Sequence, residues 1–339
     1  MSKKNKTPLG IFTESIGLYF SNFDKFVKYM TFPVLGQIGG LFLVFLLTYF
    51  YAKNMPNLIL KFETLNNIST LVICAILITL PGLILFAKSF WEYLVAYGAI
   101  NSMLENMLKS GKVYDFDAHT ELIKRRTVPF IGLWFLFGIF TLVGSFPLLW
   151  VPCVVFMIYF VLVFQIFTFE PEQSPIGCVK RSLSLVKGHF ASTLMLFSLV
   201  GALTYILIPD IANKLFNLGK ITPFLANIIS PFINLFDFGS LNTTLSVYNI
   251  KPVKVEMIST FFVSTVITQI FVQYTLPLRS ILWSMWYKEL GGNTNFVQEK
   301  KNKKSSKKPS EKLMEVSHKK YATKKLDRNL LKRALEKED

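Results

Sequence analysis

Charge is scarce in this chain: only 17% of its 339 residues are Asp, Glu, Lys or Arg, against about 25% in an ordinary soluble domain. A water-soluble fold of this length must cover its exterior with charge, and most of the chain has too little to do so. Cysteine and histidine are scarcer still, three of each. Cys74 and Cys153 fall in apolar stretches, where a thiol behaves as a small hydrophobe; Cys178 stands alone, and His119, His189 and His318 lie far apart. With no Cys-x-x-Cys and no Cys/His cluster, neither a disulfide framework nor a zinc site is expected. Paired carboxylates and His/Asp sets are also missing from the apolar segments. The chain is therefore read as non-enzymatic, with no catalytic, cofactor-binding or metal-ligating residues and no cofactor.

What is present is apolar and comes in blocks. Hydrophobic residues make up 52% of the chain, aromatics 15%, and the mean hydropathy is +0.42. Blocks of about 20 apolar residues match the length a helix needs to cross the hydrocarbon of a bilayer. Six can be drawn, at about 32–52, 69–90, 128–146, 149–169, 190–208 and 257–286. The expected fold is all-α, a polytopic membrane helical bundle of about six transmembrane helices. Pro209 is expected to close the fifth span, and Lys53–Asn67 to form a polar loop between the first two. Thr222–Phe236 is apolar, but Pro223, Asn227, Pro231 and Asn234 make it a poor span, so an interfacial or re-entrant helix is expected there.

Three shorter pieces have a different pattern. From Pro8 to Met30, the apolar residues Phe12, Ile16, Tyr19, Phe23 and Phe26 recur every three to four positions among polar ones. That period describes an amphipathic helix at a membrane surface. Ala118–Arg126 and Pro175–Lys187 read the same way. Each of the three precedes an odd-numbered span, which suggests a repeated helix-plus-hairpin unit. Basic residues gather on the same side: Lys3, Lys4, Lys6, Lys25 and Lys28, then Lys109, Lys112 and Lys124–Arg126, then Lys180, Arg181 and Lys187. The positive-inside bias makes that side cytoplasmic, with both termini there and the protein in a cell (cytoplasmic or inner) membrane.

Residues 1–290 are expected to form the membrane domain and 291–339 a basic, largely disordered cytoplasmic tail. From Glu299 onward fifteen Lys and Arg face seven Asp and Glu, so half of the net charge of +16 sits there. Such a tail suits anionic lipid or a protein partner. A nucleic-acid partner has no other support in the sequence.

The run Glu170-Pro-Glu-Gln-Ser-Pro-Ile-Gly-Cys-Val-Lys-Arg-Ser-Leu-Ser-Leu-Val-Lys-Gly-His-Phe190 resembles the signature of one bacterial membrane family. There a Glu closes a span, and a helix of the form Ala-x-x-Arg-Ser-x-x-Leu-x-x-Gly-x-Phe leads into the next. Arg181, Ser182, Leu185, Gly188 and Phe190 stand in those places, with Cys178 for the usual Ala. The N-terminal run that ends in Leu18-Tyr19-x-x-Asn22-Phe23 resembles the family's opening helix, and Leu276–Leu290 its final span. The family is the membrane domain of some glycerophosphoryl diester phosphodiesterases and their relatives. The resemblance covers about residues 9–290 and implies a membrane bundle. In the phosphodiesterases a separate soluble barrel performs catalysis, and this chain has no room for one, so the activity does not carry over.

Two groups of residues are candidate sites. Lys180, Arg181 and Lys187 on the third amphipathic helix suit a lipid headgroup, although charges that merely set topology would look the same. Lys88, Glu92, Gln269, Gln273 and Arg279 are polar residues within spans, where ionisable groups are costly and mark function by default. Lys88 and Glu92 are one turn apart, as are Gln269 and Gln273, and Arg279 is a competing partner for Glu92. These residues suggest an intramembrane polar network, or ordinary hydrogen bonds between helices. The expected function is membrane or lipid organisation, or service as a membrane partner protein. The rival is transport of a small solute or lipid, which predicts a polar cavity around Glu92, Gln269 and Gln273.

Overall fold

A computed structural model describes residues 6–62, 67–113, 115–144, 146–234, 238–248, 250–292 and 294. Among them all regular structure is helical: α1 (Pro8–Ser21), α2 (Phe23–Lys61), α3 (Ile68–Ser102), α4 (Leu104–Ser110), α5 (Phe116–Lys124), α6 (Thr127–Gly144), α7 (Trp150–Phe160) and α8 (Val163–Phe169). The chain continues through α9 (Pro175–Val186), α10 (Phe190–Gly201), α11 (Ile208–Leu218), α12 (Ile221–Ile233), α13 (Gly239–Val247), α14 (Val255–Tyr274) and α15 (Leu276–Glu289). Six stretches are long and apolar enough to cross a membrane: α2, α3, α6, α7 with α8, α10 through α11, and α14 with α15. The fold is an all-α polytopic bundle. Most of the tail, including everything from residue 295 on, lies outside the described residues.

The outer faces of these helices are apolar. Ile73, Ile76, Leu77 and Ile84 on α3, and Val128, Phe135 and Leu142 on α6, each expose half or more of their surface. Apolar area on that scale would drive association in water; in hydrocarbon it is the solvated state. Four of the six spans also exceed the expected lengths. At 39 residues α2 is about 58 Å long, nearly twice the roughly 30 Å of bilayer hydrocarbon. The predicted loop from Lys53 is helical as far as Lys61. Lys and Met are good helix formers and propagation is easier than nucleation, so the helix carries Asn54 and Pro56 along with it.

Pro209 does not close the fifth span. Residues Ala202–Leu207 form a π-helical segment that joins α10 to α11, and Pro209 occupies the first turn of α11. The wider turn shifts the hydrogen-bond register where proline would otherwise clash with the carbonyl four residues back. The helix thus continues to Leu218.

Packing divides the chain into two compact units: residues 1–98 with 189–282, and 99–188 with the segment starting at 283. In the first unit α14 is central, with α2, α11 and α12 against it. Ala212, Ala226, Val263 and Ile267 form a buried cluster there, flanked by Phe216 and Phe271. At 13 residues α12 is about 20 Å long, too short to cross; it packs on α14 with Thr222, Ala226 and Ile233 buried. Between α2 and α3 two glycines let the backbones touch. A Cβ on Gly40 would lie 2.6 Å from the Phe86 nitrogen, and one on Gly82 2.7 Å from the Val44 nitrogen. In the second unit α9 packs on α6, α7 and α8.

All three amphipathic pieces are helices that break just before a span, and all three are capped alike. Thr7 Oγ1 accepts from the Gly10 amide (3.2 Å), Asp115 Oδ1 from Ala118 (3.2 Å) and Ser174 Oγ from Gly177 (3.1 Å). The match between α1 and α9 goes further. Thr7-Pro8-Leu9-Gly10 aligns with Ser174-Pro175-Ile176-Gly177, and without a gap Ser15 meets Ser182, Leu18 meets Leu185 and Phe23 meets Phe190. The buried positions coincide: Ile11, Ser15 and Tyr19 in α1, Cys178, Ser182 and Val186 in α9. Phe23 and Phe190 each open the following span. Of the expected stripe Tyr19 and Phe26 are buried, while Ile11 replaces Phe12, and in place of Ile16 and Phe23 it is Ser15 and Asn22 that lie inside. Their polar atoms bond to carbonyls of the same helix, Ser15 Oγ to Ile11 at 2.7 Å and Asn22 Nδ2 to Leu18 at 3.0 Å. That removes the cost of burying them.

Candidate functional site

Helix α9 starts where Pro175, with no N–H to lose, follows the Ser174 cap. Its buried stripe holds Cys178, Ser182 and Val186 one turn apart, so the intervening positions must face outward. Lys180, Arg181 and Lys187 are all exposed, beside the equally exposed Ile176 and Leu183. A face that presents cations next to bare aliphatic side chains suits the boundary between headgroups and acyl chains.

Of the three cations only Arg181 is tied down. Its Nε lies 3.3 Å from Glu170 Oε1, and the Tyr287 hydroxyl donates to the same oxygen at 2.8 Å. Tyr287 is fully buried, stacked on Phe169 with 5.5 Å between ring centroids. Ser182 Oγ donates to the Tyr159 carbonyl at 2.7 Å. The residues that carry the family-like signature thus knot α8, α9 and α15 together within one unit. In this arrangement their polar groups join one helix to another. Lys180 and Lys187 have no ion-pair partner among the described residues.

Other polar groups of this unit are also engaged. Asn101 Oδ1 accepts from Gln165 Nε2 (3.2 Å) and Ser284 Oγ (3.0 Å), all three buried. Glu105 takes Lys288 and Thr294. Burial pushes its carboxyl up, but those hydrogen bonds and the charges of Lys288 and Lys109 outweigh it and hold it below the usual range. Arg126 stacks on the Phe167 ring, 3.9 Å from its centroid, and donates to the Phe167 carbonyl, so this member of the basic cluster is half-buried. Burial lowers the Arg126 guanidinium and pushes the Cys178 thiol up to about 11, which leaves that thiol protonated and inert at neutral pH. His119 Nδ1 sits 2.6 Å from the Ser102 hydroxyl, and burial lowers the imidazole despite the nearby Asp115 charge.

The candidates in the other unit are only partly brought together. Gln37 Nε2 donates to Gln273 Oε1 at 3.3 Å, which ties α2 to α14. Gln269, a turn away, is exposed. Lys88 and Glu92 line one cleft with Tyr29, Phe32 and Pro33. Arg279 is buried elsewhere, with Nη2 on the Val272 carbonyl at 2.9 Å, its guanidinium 4.7 Å over the Tyr205 ring and a hydrogen bond to Tyr93. Tyr205 belongs to the π-helical segment, a placement the sequence did not signal. The Tyr19 hydroxyl donates to the Tyr274 carbonyl at 3.2 Å, and burial pushes it up to about 12. The sequence reading also missed Asn101, Glu105 and Ser284, since a single Asn, Glu or Ser on a helix carries no local signal of its partner. Among the described residues no three His, Cys, Asp or Glu side chains are grouped as a metal site would need.

Comparison with protein-family models, with curated proteins and with solved structures returns no match to this chain.

Proposed function

We propose that this is a non-enzymatic, multi-pass membrane protein that organises phospholipid at one membrane face, with α9 contacting anionic headgroups through Lys180, Arg181 and Lys187. One observation carries the reading. Helix α1 has the same cap, buried stripe and junction with a span, yet Thr13, Glu14 and Phe20 stand where α9 has its three cations. Arg181 has a folding duty on α9 in its ion pair with Glu170. Lys180 and Lys187 have no ion-pair partner among the described residues, and their presence there is better explained by a ligand than by folding. Three cations near a negative membrane surface are worth about 1 kcal/mol each, enough to select anionic lipid without a closed pocket.

The positive-inside bias places α9 and both termini on the cytoplasmic side of a cell membrane. The tail offers a second basic surface there, for the same lipids or for a protein partner. Both placements rest on the distribution of Lys and Arg. The likeness to the phosphodiesterase membrane domain is in keeping with this reading, because residues that carry it join α8, α9 and α15.

The test uses the full chain in nanodiscs of mixed phosphatidylglycerol and phosphatidylcholine. Co-purified lipid should be enriched in phosphatidylglycerol, and Lys180→Gln with Lys187→Gln should remove most of the enrichment. A lipid profile unchanged by the double variant would sink the proposal. For transport, the rival function, Glu92→Gln and Gln269→Leu should abolish uptake while leaving the lipid profile as it was.

A further inference from the structure

We infer that the cleft between α2 and α3 is a seat for one zwitterionic, amine-bearing phospholipid, independent of the α9 surface and in the other compact unit. The cleft measures about 370 Å³ and is lined by Tyr29, Phe32, Pro33, Lys88 and Glu92, within the usual range of small-ligand sites, about 300–1,000 Å³. Lys88 is its key. Although Glu92 is one turn on, the only contact of the Lys88 ammonium among the described residues is the ring of Phe32, 5.5 Å from its centroid. An ammonium has three donors, and in a span it is retained only where something compensates its charge. A phosphate oxygen would supply that compensation.

Position and charge identify the phosphate as a lipid's. Lys88 stands twenty residues into α3, about 30 Å from its start, which is one hydrocarbon thickness and so the level of the opposite headgroups. Lys88 and Phe32 are exposed, and in a span an exposed side chain faces lipid. The cleft therefore fills laterally from the bilayer. Its two charged side chains sum to zero, so a headgroup with both a phosphate and an ammonium matches it, whereas a purely anionic one would meet the Glu92 carboxylate. Phe32 and Tyr29 supply the apolar wall for the glycerol and first methylenes, and Phe32 can also face the cation of the headgroup.

The experiment reconstitutes the full chain in nanodiscs holding equal phosphatidylethanolamine, phosphatidylglycerol and phosphatidylcholine, and quantifies by native mass spectrometry the lipid that survives delipidation. One phosphatidylethanolamine per chain should be retained in preference to the other two. Lys88→Gln should weaken that retention about tenfold, the size of one lost charge-assisted hydrogen bond, and Lys88→Arg should restore it. Glu92→Gln should shift the preference toward phosphatidylglycerol, a reading that stands even if Lys88→Gln is poorly recovered. Retention of phosphatidylglycerol by the unaltered chain, or of phosphatidylethanolamine undiminished in Lys88→Gln, would overturn the inference. Lys180→Gln with Lys187→Gln should leave this tightly held lipid in place, so failure here and failure of the α9 proposal are told apart.

Discussion

Helices α1 and α9 use one pattern for two different surfaces. Both begin at a hydroxyl cap followed by proline, bury a serine two turns on, and hand over to a span at a phenylalanine. Outside that shared frame they diverge. The outward positions of α1 carry Thr13, Glu14 and Phe20, with Glu14 paired to Lys6 near the surface, while α9 presents three cations and anchors one of them to Glu170, which also accepts from the buried Tyr287. Positions set by the backbone are kept, and positions free of it have been given a charge pattern. What differs between two copies of a scaffold is where function is to be sought.

The comparison can be broken most severely at Glu170. Glu170→Ala removes the carboxylate oxygen that Tyr287 and Arg181 share and should cost about 3 kcal/mol, read as a lower midpoint of thermal unfolding in detergent. Glu14→Ala, at an exposed pair, should stay within about 0.5 kcal/mol. Equal losses would mean that α1 is anchored as firmly as α9.

A graft sharpens the comparison next. Lys180→Thr with Lys187→Phe gives α9 two of the three differing residues of α1 and keeps the Arg181 anchor, and should lower affinity for vesicles of phosphatidylglycerol by about 2 kcal/mol, with unfolding unchanged. A smaller difference is expected at the shared serine. Ser182→Ala leaves the Tyr159 carbonyl without its side-chain donor and should cost about 1–2 kcal/mol. Ser15→Ala removes a bond to the Ile11 carbonyl of its own helix, and a loss as large as that of Ser182→Ala would mean that this serine, too, ties its helix to another. The caps come below these: Thr7→Ala and Ser174→Ala should each cost about 1 kcal/mol, and by the same amount if the two helices are true counterparts.

The smallest effect extends the comparison to α5, where His119 stands at the place of Ile11 and Cys178 relative to the cap. Burial holds its imidazole below the ordinary 6.5, so the unfolded chain takes up the proton more readily than the folded one. Stability should be complete above pH 6.5 and fall as the pH drops from there toward the folded value. In His119→Ile that slope should vanish, leaving only the loss at lower pH where Glu105, whose carboxyl is held down in the folded state, becomes protonated. A slope that persists in the variant would place the titration elsewhere.

Much of this was open to reading in the residues. Block length and sparse charge established six spans, and the period of the polar breaks located all three amphipathic helices, although in and just after α1 the period favours Ile16 and Phe23 for the inside where the structure buries Ser15 and Asn22. The repeated Pro-x-Gly after a hydroxyl residue was also in plain view and went unused. The candidate groups were less legible. Gln273 found Gln37 on another helix, while Gln269 beside it faces outward, because a turn of helix does not say which neighbour will occupy it.

The sequence by itself determined that the chain is a helical membrane bundle, since hydrophobic transfer and backbone hydrogen bonding act on local segments and need no partner to be judged. Tertiary structure decided everything that depends on two distant residues meeting: that Glu170 serves Arg181 and Tyr287, that Arg279 lies over Tyr205, and that Lys88 is left facing a ring. In a low-dielectric medium the cost of a polar group depends on what it touches, and that is a property of the packed chain.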